Sequence, residues 1–168
     1  MSLRSFRSEN VVAFVKAVLD VDIESAKQLY SEFKNDYPIC ITRDLEVAKN
    51  WLKQKAKGSQ HYGMTASSGA KRLRKYGVCV QSKVDAPNWF LDGKEDVRSS
   101  YFLEETATEF DIQSLELDWT ILYWDANLRF KNNQFQHFNF NGTKWQNVNK
   151  EDNILYLKKC ISCTTHKS

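Results

Sequence analysis

The sequence predicts an α/β domain in which a mainly parallel sheet is flanked by helices and carries an inserted β-hairpin. Three observations point there. In the first half, segments with helical spacing of apolar residues alternate with short apolar runs of strand character, the order expected when helices pack on parallel strands. In the second half, "FNFNGTKW" alternates apolar and polar residues about an Asn141–Gly142 pair, a strong hairpin signal. The chain has 168 residues, 42% hydrophobic and 13% aromatic, with two Pro and six Gly, which is enough for one folded domain.

Taken in order, Ser8 is a candidate N-cap for a helix whose apolar side is Val11, Phe14, Val15, Val18 and Leu19. Asp22 caps a second helix with Ile23, Ala26, Leu29, Tyr30 and Phe33 inward. "YPICIT" reads as a short apolar strand with Pro38 at its start, where a missing N–H does no harm. Asp44 or Thr42 caps a third helix that turns Leu45, Ala48, Trp51 and Leu52 to the core. "YGMTASSGAKRLRKYG" reads as a strand over Tyr62–Ala66, a tight turn at Ser67–Ser68–Gly69, a helix, and a stop at Gly77. "VDAPNWFLDGKEDVRSS" reads as a long loop around Pro87 and Gly93. A strand ends near Phe110, and "WTILYWD" is the most strand-like segment of the chain. Residues 154–159 make a short helical candidate, and "CISCTTHKS" carries no pattern.

Charge and composition narrow the function. Lys and Arg exceed Asp and Glu by 24 to 21, a balance that argues for no partner unless the basic residues cluster. No apolar run reaches the ~20 residues of a membrane span, and "MSLRSFRSEN" lacks a signal-peptide core, so a cytoplasmic location with no membrane partner is expected. Cys40 and Cys79 lie in apolar runs and read as buried free thiols. Cys160, Cys163 and His166 give three ligand types without a fourth, so no metal site is expected. The "NGT" at Asn141 is better explained by the hairpin turn than by glycosylation, and no Ser–His–Asp set or paired general acid and base stands out.

Four stretches could carry chemistry. In "SFRSEN" an Arg at a helix start is either solvated or presents a guanidinium fork to a phosphate. "ASSGAKRLR" sets Ser67, Ser68 and Gly69 at a helix N-terminus, followed by Lys71, Arg72, Arg74 and Lys75. It is either a capped helix with a solvated basic face or a place for an anion such as a nucleic-acid phosphate. "TEFDIQSLELDW" puts Gln113 and Glu116 three residues apart before an apolar strand, with no metal-binding or acid–base spacing. Trp89 and Trp145, read as exposed aromatics, would suit a binding module for single-stranded nucleic acid or a protein. The Walker pattern G-x-x-x-x-G-K-[ST] is absent from the 168 residues, so ATP hydrolysis by this chain unaided is not expected.

The segments "LRSFRSENVVAFVKAVL", "YPICITRDLEVAKNWL", "YGMTASSGAKRLRKYG", "NWFLDGKEDVRSSYFLEETATEFDIQSLELDW" and "NGTKWQN" occur here in one order. Together they resemble the second RecA-like domain of a bacterial helicase-like ATPase family of unknown function, related to the Schlafen-type superfamily 1 DNA/RNA helicases. The resemblance covers nearly everything from Leu3 to about Leu157. It implies a three-layer RecA-like domain of the P-loop NTPase type over residues 1–159, with residues 160–168 an atypical tail.

Further implications come from that resemblance alone. ATP with Mg2+ would be bound only in a two-domain protein, between this domain and a first RecA-like domain that brings the phosphate loop. No cofactor is expected for the isolated chain. "SFRS" resembles the family's fourth motif, which makes Arg7 an arginine finger with Arg4 the alternative. "DIQSLELDW" resembles the fifth, which makes Gln113 and Glu116 a coupling loop between nucleotide and single-stranded DNA or RNA. Ser114 stands where the family has Gly, which weakens a close approach to phosphate. A sixth motif ending in a Thr-Arg-Ala-Arg-like run is missing, since no Arg follows Arg129. Three readings remain at this point: a motor fragment, a non-catalytic binding module, and an inactive remnant of a truncated gene.

Overall fold

The computed structural model describes residues 3–80, 83–112, 115 and 117–148, with side chains from Glu9 onward. It begins with a helical hairpin, α1 (Leu3–Leu19) and α2 (Ile23–Phe33). No Gly or Pro interrupts Leu3 to Ser8, so α1 starts five residues before Ser8, which is a helical residue and not its cap. The corner is a Schellman arrangement: Asp22 N–H bonds to the Ala17 carbonyl at 2.9 Å and Val21 N–H to that of Val18 at 3.1 Å. Val21 takes the left-handed conformation there, φ 61°, a strained choice for a β-branched residue. Asp22 caps α2 as predicted, its carboxylate accepting from Ser25 N–H at 3.1 Å. Phe14, Tyr30 and Phe33 join the two helices, ring centroids 5.5 to 5.7 Å apart.

Residues 37–42 do not form the predicted strand. They run as irregular chain beside α2, with Ile39 43% and Ile41 96% exposed and Cys40 exposed instead of buried. A strand exists only by pairing, and both edges of the central strand are taken by others. Ile39 and Ile41 instead border an apolar cavity of about 610 Å³ between the helical hairpin and Phe130 and Phe135. Cys79 is half-buried. Helix α3 (Leu45–Lys55) follows, and both predicted caps act: Asp44 accepts from Val47 N–H at 3.1 Å while Thr42 Oγ1 accepts from Asp44 N–H at 3.0 Å.

The centre is a parallel sheet of β1 (Tyr62–Ala66), β2 (Thr106–Thr108) and β3 (Trp119–Tyr123), in the order β2-β1-β3. All five residues of β1 are buried, as befits a parallel strand covered on both faces. On one face Tyr62 and Met64 pack with Leu52 of α3, Leu103 and the half-buried Trp119, Ile121 and Tyr123. On the other face Gly63 meets helix α4 (Ala86–Leu91), a correction to the long loop expected there. Asp85 caps α4 and Pro87 sits in its first turn, where its lost N–H is harmless. The helix brings in Trp89, 1% exposed, with its indole N–H on the Glu105 carbonyl at 3.4 Å. Trp89 is therefore a core residue and not the exposed aromatic that its polar surroundings suggested. Beyond α4, Arg98 forks onto Asp96 through Nε at 3.1 Å and Nη2 at 2.8 Å, which holds that carboxyl at about 2.

The second sheet is antiparallel: β4 (Leu128–Lys131), β5 (Gln134–Asn141) and β6 (Lys144–Asn147). The predicted hairpin is thus one half of a three-stranded meander. Asn132 and Asn133, φ 54° and 58°, make the first turn with the positive dihedrals of a type I′ hairpin. The second turn centres on Gly142 and Thr143, one residue later than the Asn141–Gly142 pair, because Asn141 still pairs with Lys144. The architecture is α/β as predicted, with its parallel and antiparallel strands in separate sheets. No helix among the described residues is long and apolar enough to cross a membrane. The helical candidate at 154–159 and the Cys160, Cys163 and His166 set lie outside the described residues.

Gly63 is the position that lets α4 close on the sheet. A Cβ there would lie 2.6 Å from Trp89 Cζ2 and 3.1 Å from the Ser100 Cβ, so the indole must move. Gly63→Ala is expected to cost roughly 1–3 kcal/mol in urea unfolding, with the tryptophan emission shifted to the red.

Candidate functional site

Parallel strands end on one edge, and the register aligns Ala66 with Thr108 and with Tyr123. The segments beginning at Ser67, Glu109 and Trp124 therefore leave the sheet side by side. Strand order reverses at β1, since β2 lies on one flank and β3 on the other. In open α/β sheets the crevice outside the carboxyl ends at such a reversal is where ligands bind.

Thr108, Glu109, Asp125 and Asn127 are buried polar residues at this edge. The Glu109 carboxylate accepts from Ser68 twice, from N–H through Oε2 at 2.7 Å and from Oγ through Oε1 at 2.7 Å. Asp125 Oδ2 accepts from Arg72 N–H at 3.4 Å while its Oδ1 accepts from Ala126 N–H at 2.6 Å. Ser67 Oγ accepts from Gly69 N–H at 3.3 Å. The turn after β1 thus already has an anion, the chain's own Glu109, so Ser67 and Ser68 hold the turn together. Thr108 in turn donates to Asp111 from N–H and Oγ1 at 2.8 and 2.7 Å, which fixes the start of the loop after β2.

Beyond the turn the predicted helix forms as a short 3-10 helix, Lys71–Tyr76, stopped at Gly77 in the left-handed conformation, φ 85°. It is anchored by buried Leu73, which packs with Ala66, Ala70, Val78 and Val80. Lys71, Arg72 and Arg74 are all exposed along it. The Arg72 guanidinium lies over the Phe140 ring of β5, 4.8 Å from its centroid, and so ties the basic helix to the antiparallel sheet.

Of the residues singled out in the sequence, the structure brings Ser67, Ser68, Lys71, Arg72 and Arg74 to the carboxyl edge of the parallel sheet or just beyond it. Arg4 and Arg7 fall within the first two turns of α1, their side chains outside the described residues. Gln113 and Glu116 also lie outside them, in the connection from β2 to β3. Among the described residues no three His, Cys, Asp or Glu are grouped to hold a metal. Glu109 and Asp125 were not legible beforehand. Each follows a strand end by one or two residues, a position that gains meaning only once the strands are known to run parallel.

A parallel sheet with a polar carboxyl edge defines an open α/β domain of the class that receives ligands there. The chain matches the family model described as "Schlafen group 3, DNA/RNA helicase domain" over residues 1–162, and it belongs to that family. No curated protein and no solved structure matches it.

Two outcomes follow for this edge. Glu109→Ala strands the Ser68 donors and is expected to cost roughly 2 kcal/mol in chemical denaturation, with Glu109→Gln costing about half as much. Tyr123, whose hydroxyl reaches Met64 Sδ at 2.9 Å, has its pKa pushed up to about 12, chiefly by burial and further by Glu46. The folded state then binds its proton more tightly than the unfolded chain. The stabilisation is full below pH ~10 and is lost between pH 10 and 12. Ultraviolet titration should show a late phenolate step that Tyr123→Phe removes.

Proposed function

We propose that this chain is the second RecA-like domain of an ATP-dependent nucleic-acid helicase or translocase. The match to a DNA/RNA helicase domain across residues 1–162 is the observation that carries this reading. The parallel sheet with its polar carboxyl edge supports it, as does the exposed basic helix Lys71–Tyr76 beside that edge. Single-stranded DNA or RNA runs along this edge, its phosphates on Lys71, Arg72 and Arg74.

The residues present do not fit a triphosphate cradle. No G-x-x-x-x-G-K-[ST] occurs, and the Ser68 donors in the turn between β1 and the helix Lys71–Tyr76 are taken by Glu109. A first RecA-like domain therefore holds ATP and Mg2+, and this domain closes over it. Arg7, with Arg4 as its alternative, supplies a guanidinium where negative charge spreads over the transferring phosphoryl group. Gln113 and Glu116 link nucleotide state to the nucleic-acid edge, with Ser114 loosening the approach to phosphate. A second reading, a binding module without ATP turnover, is supported by the exposed Lys71, Arg72 and Arg74 on the helix Lys71–Tyr76.

In a protein that carries both domains, Arg7→Ala is expected to lower nucleic-acid-stimulated ATP turnover by about three orders of magnitude while the KM for ATP stays near wild type. Unchanged turnover in Arg7→Ala with loss in Arg4→Ala would move the finger to Arg4. Unchanged turnover in both would leave the binding-module reading.

A further inference from the structure

Residues 126–148 contain Arg129, Lys131 and Lys144 but no Asp or Glu, in a chain with 21 carboxylates. The same 23 residues hold nine Asn and Gln, and five aromatics besides His137. The pairing sorts them onto two faces, since residues two apart in a strand share a side. Leu128 and His137 are a buried pair on one face, which packs against the rest of the domain. Arg129 pairs with Gln136 and Phe140 with Trp145, which sets Arg129, Phe138, Phe140 and Trp145 together on the opposite face.

On that second face the side chains form a stack. The Arg129 guanidinium, steadied by Nε donating to the Ala126 carbonyl at 2.7 Å, reaches across β5. It sits 4.2 Å from the Phe138 centroid and 4.9 Å from that of Trp145. Phe140 and Trp145 meet edge to face at 5.2 Å, and Arg72 of the 3-10 helix covers Phe140. All three rings and Arg129 are only half-buried, so this face is not a core. Among the described residues no carboxylate lies within 4.0 Å of either guanidinium. Asp125 touches Arg72 only through the backbone N–H, which leaves both guanidiniums without an acid partner among the described residues. Planar guanidiniums over aromatic faces suit unpaired bases and their phosphates, whereas a basic partner would be repelled.

We infer that this face is a stacking platform for a single strand of nucleic acid. Bases lie on the Arg129, Phe138 and Trp145 stack while phosphates run toward Arg72 and Lys131. The inference rests on the nucleic-acid reading above and adds to it a base-contacting site on the antiparallel sheet.

The test is fluorescence anisotropy of the 168-residue chain with a labelled oligothymidylate, beside an abasic oligomer of the same length. Trp145→Leu is expected to weaken binding about tenfold, and Trp145→Phe far less. Arg129→Lys keeps the charge, disturbs the fold least and is expected to weaken binding several-fold, which covers the case in which Trp145→Leu fails to fold. The abasic oligomer is expected to bind at least tenfold more weakly than the thymidylate. Equal binding of the two oligomers overturns the platform. So does wild-type affinity in Arg129→Lys and Trp145→Leu when the double variant Lys71→Ala, Arg74→Ala binds weakly, a result that leaves the nucleic-acid reading standing. Absence of any binding at low salt overturns both together.

Discussion

A carboxylate with almost no access to water holds the functional edge in place. Glu109 leaves the end of β2 and receives both donors of Ser68 at the end of β1, joining two strands at the point where each gives up its ladder. A carboxyl group so buried is tolerated only where it is hydrogen-bonded, and the two short bonds from Ser68 contribute to that. The turn so fixed sets the direction of the 3-10 helix, and Leu73 holds that helix down. Arg72 then extends from the helix to Phe140, which adds a contact to the antiparallel sheet beside the buried Leu128 and His137.

The two sheets divide the work. The parallel sheet is insulated on both faces, by α3 and Leu103 on one side and by Trp89 on the other, and its buried carboxylates Glu109 and Asp125 follow its strands at the carboxyl edge. The antiparallel sheet spends one face on packing and leaves the other half-open, with charge of one sign. A rigid support carrying a surface of adaptable polar and planar groups is the arrangement expected where a protein grips a polymer without reading a fixed sequence.

Local chemistry was legible wherever it acts over a few residues. Asp22, Asp44 and Gly77 announce helix ends because capping bonds and left-handed dihedrals are decided within one turn of chain. Tyr62–Ala66 and Trp119–Tyr123 were visible because strands of a covered parallel sheet are mostly apolar and rich in β-branched and aromatic residues. What failed was whatever depends on distant partners. Residues 37–42 have strand composition but no neighbour to pair with, and Trp89 sits among Asn, Asp and Lys yet is buried because Gly63 leaves room for it. At the site, the basic run from Lys71 to Arg74 was readable as a pattern. The Glu109 anchor was not, because 41 residues separate it from Ser68. The stretches holding Arg7, Gln113 and Glu116 stood out by local pattern, but the roles given to them and to Arg4 came from family likeness, since nothing in their spacing specifies a role.

The bare strip at Ile39 and Ile41 has a consequence for how the chain behaves in solution. Extended β-branched residues facing solvent without a ladder are a ready template onto which another chain can add its own strand. Crowding should therefore promote association through this strip, and a single lysine in the middle of it would keep the molecules apart.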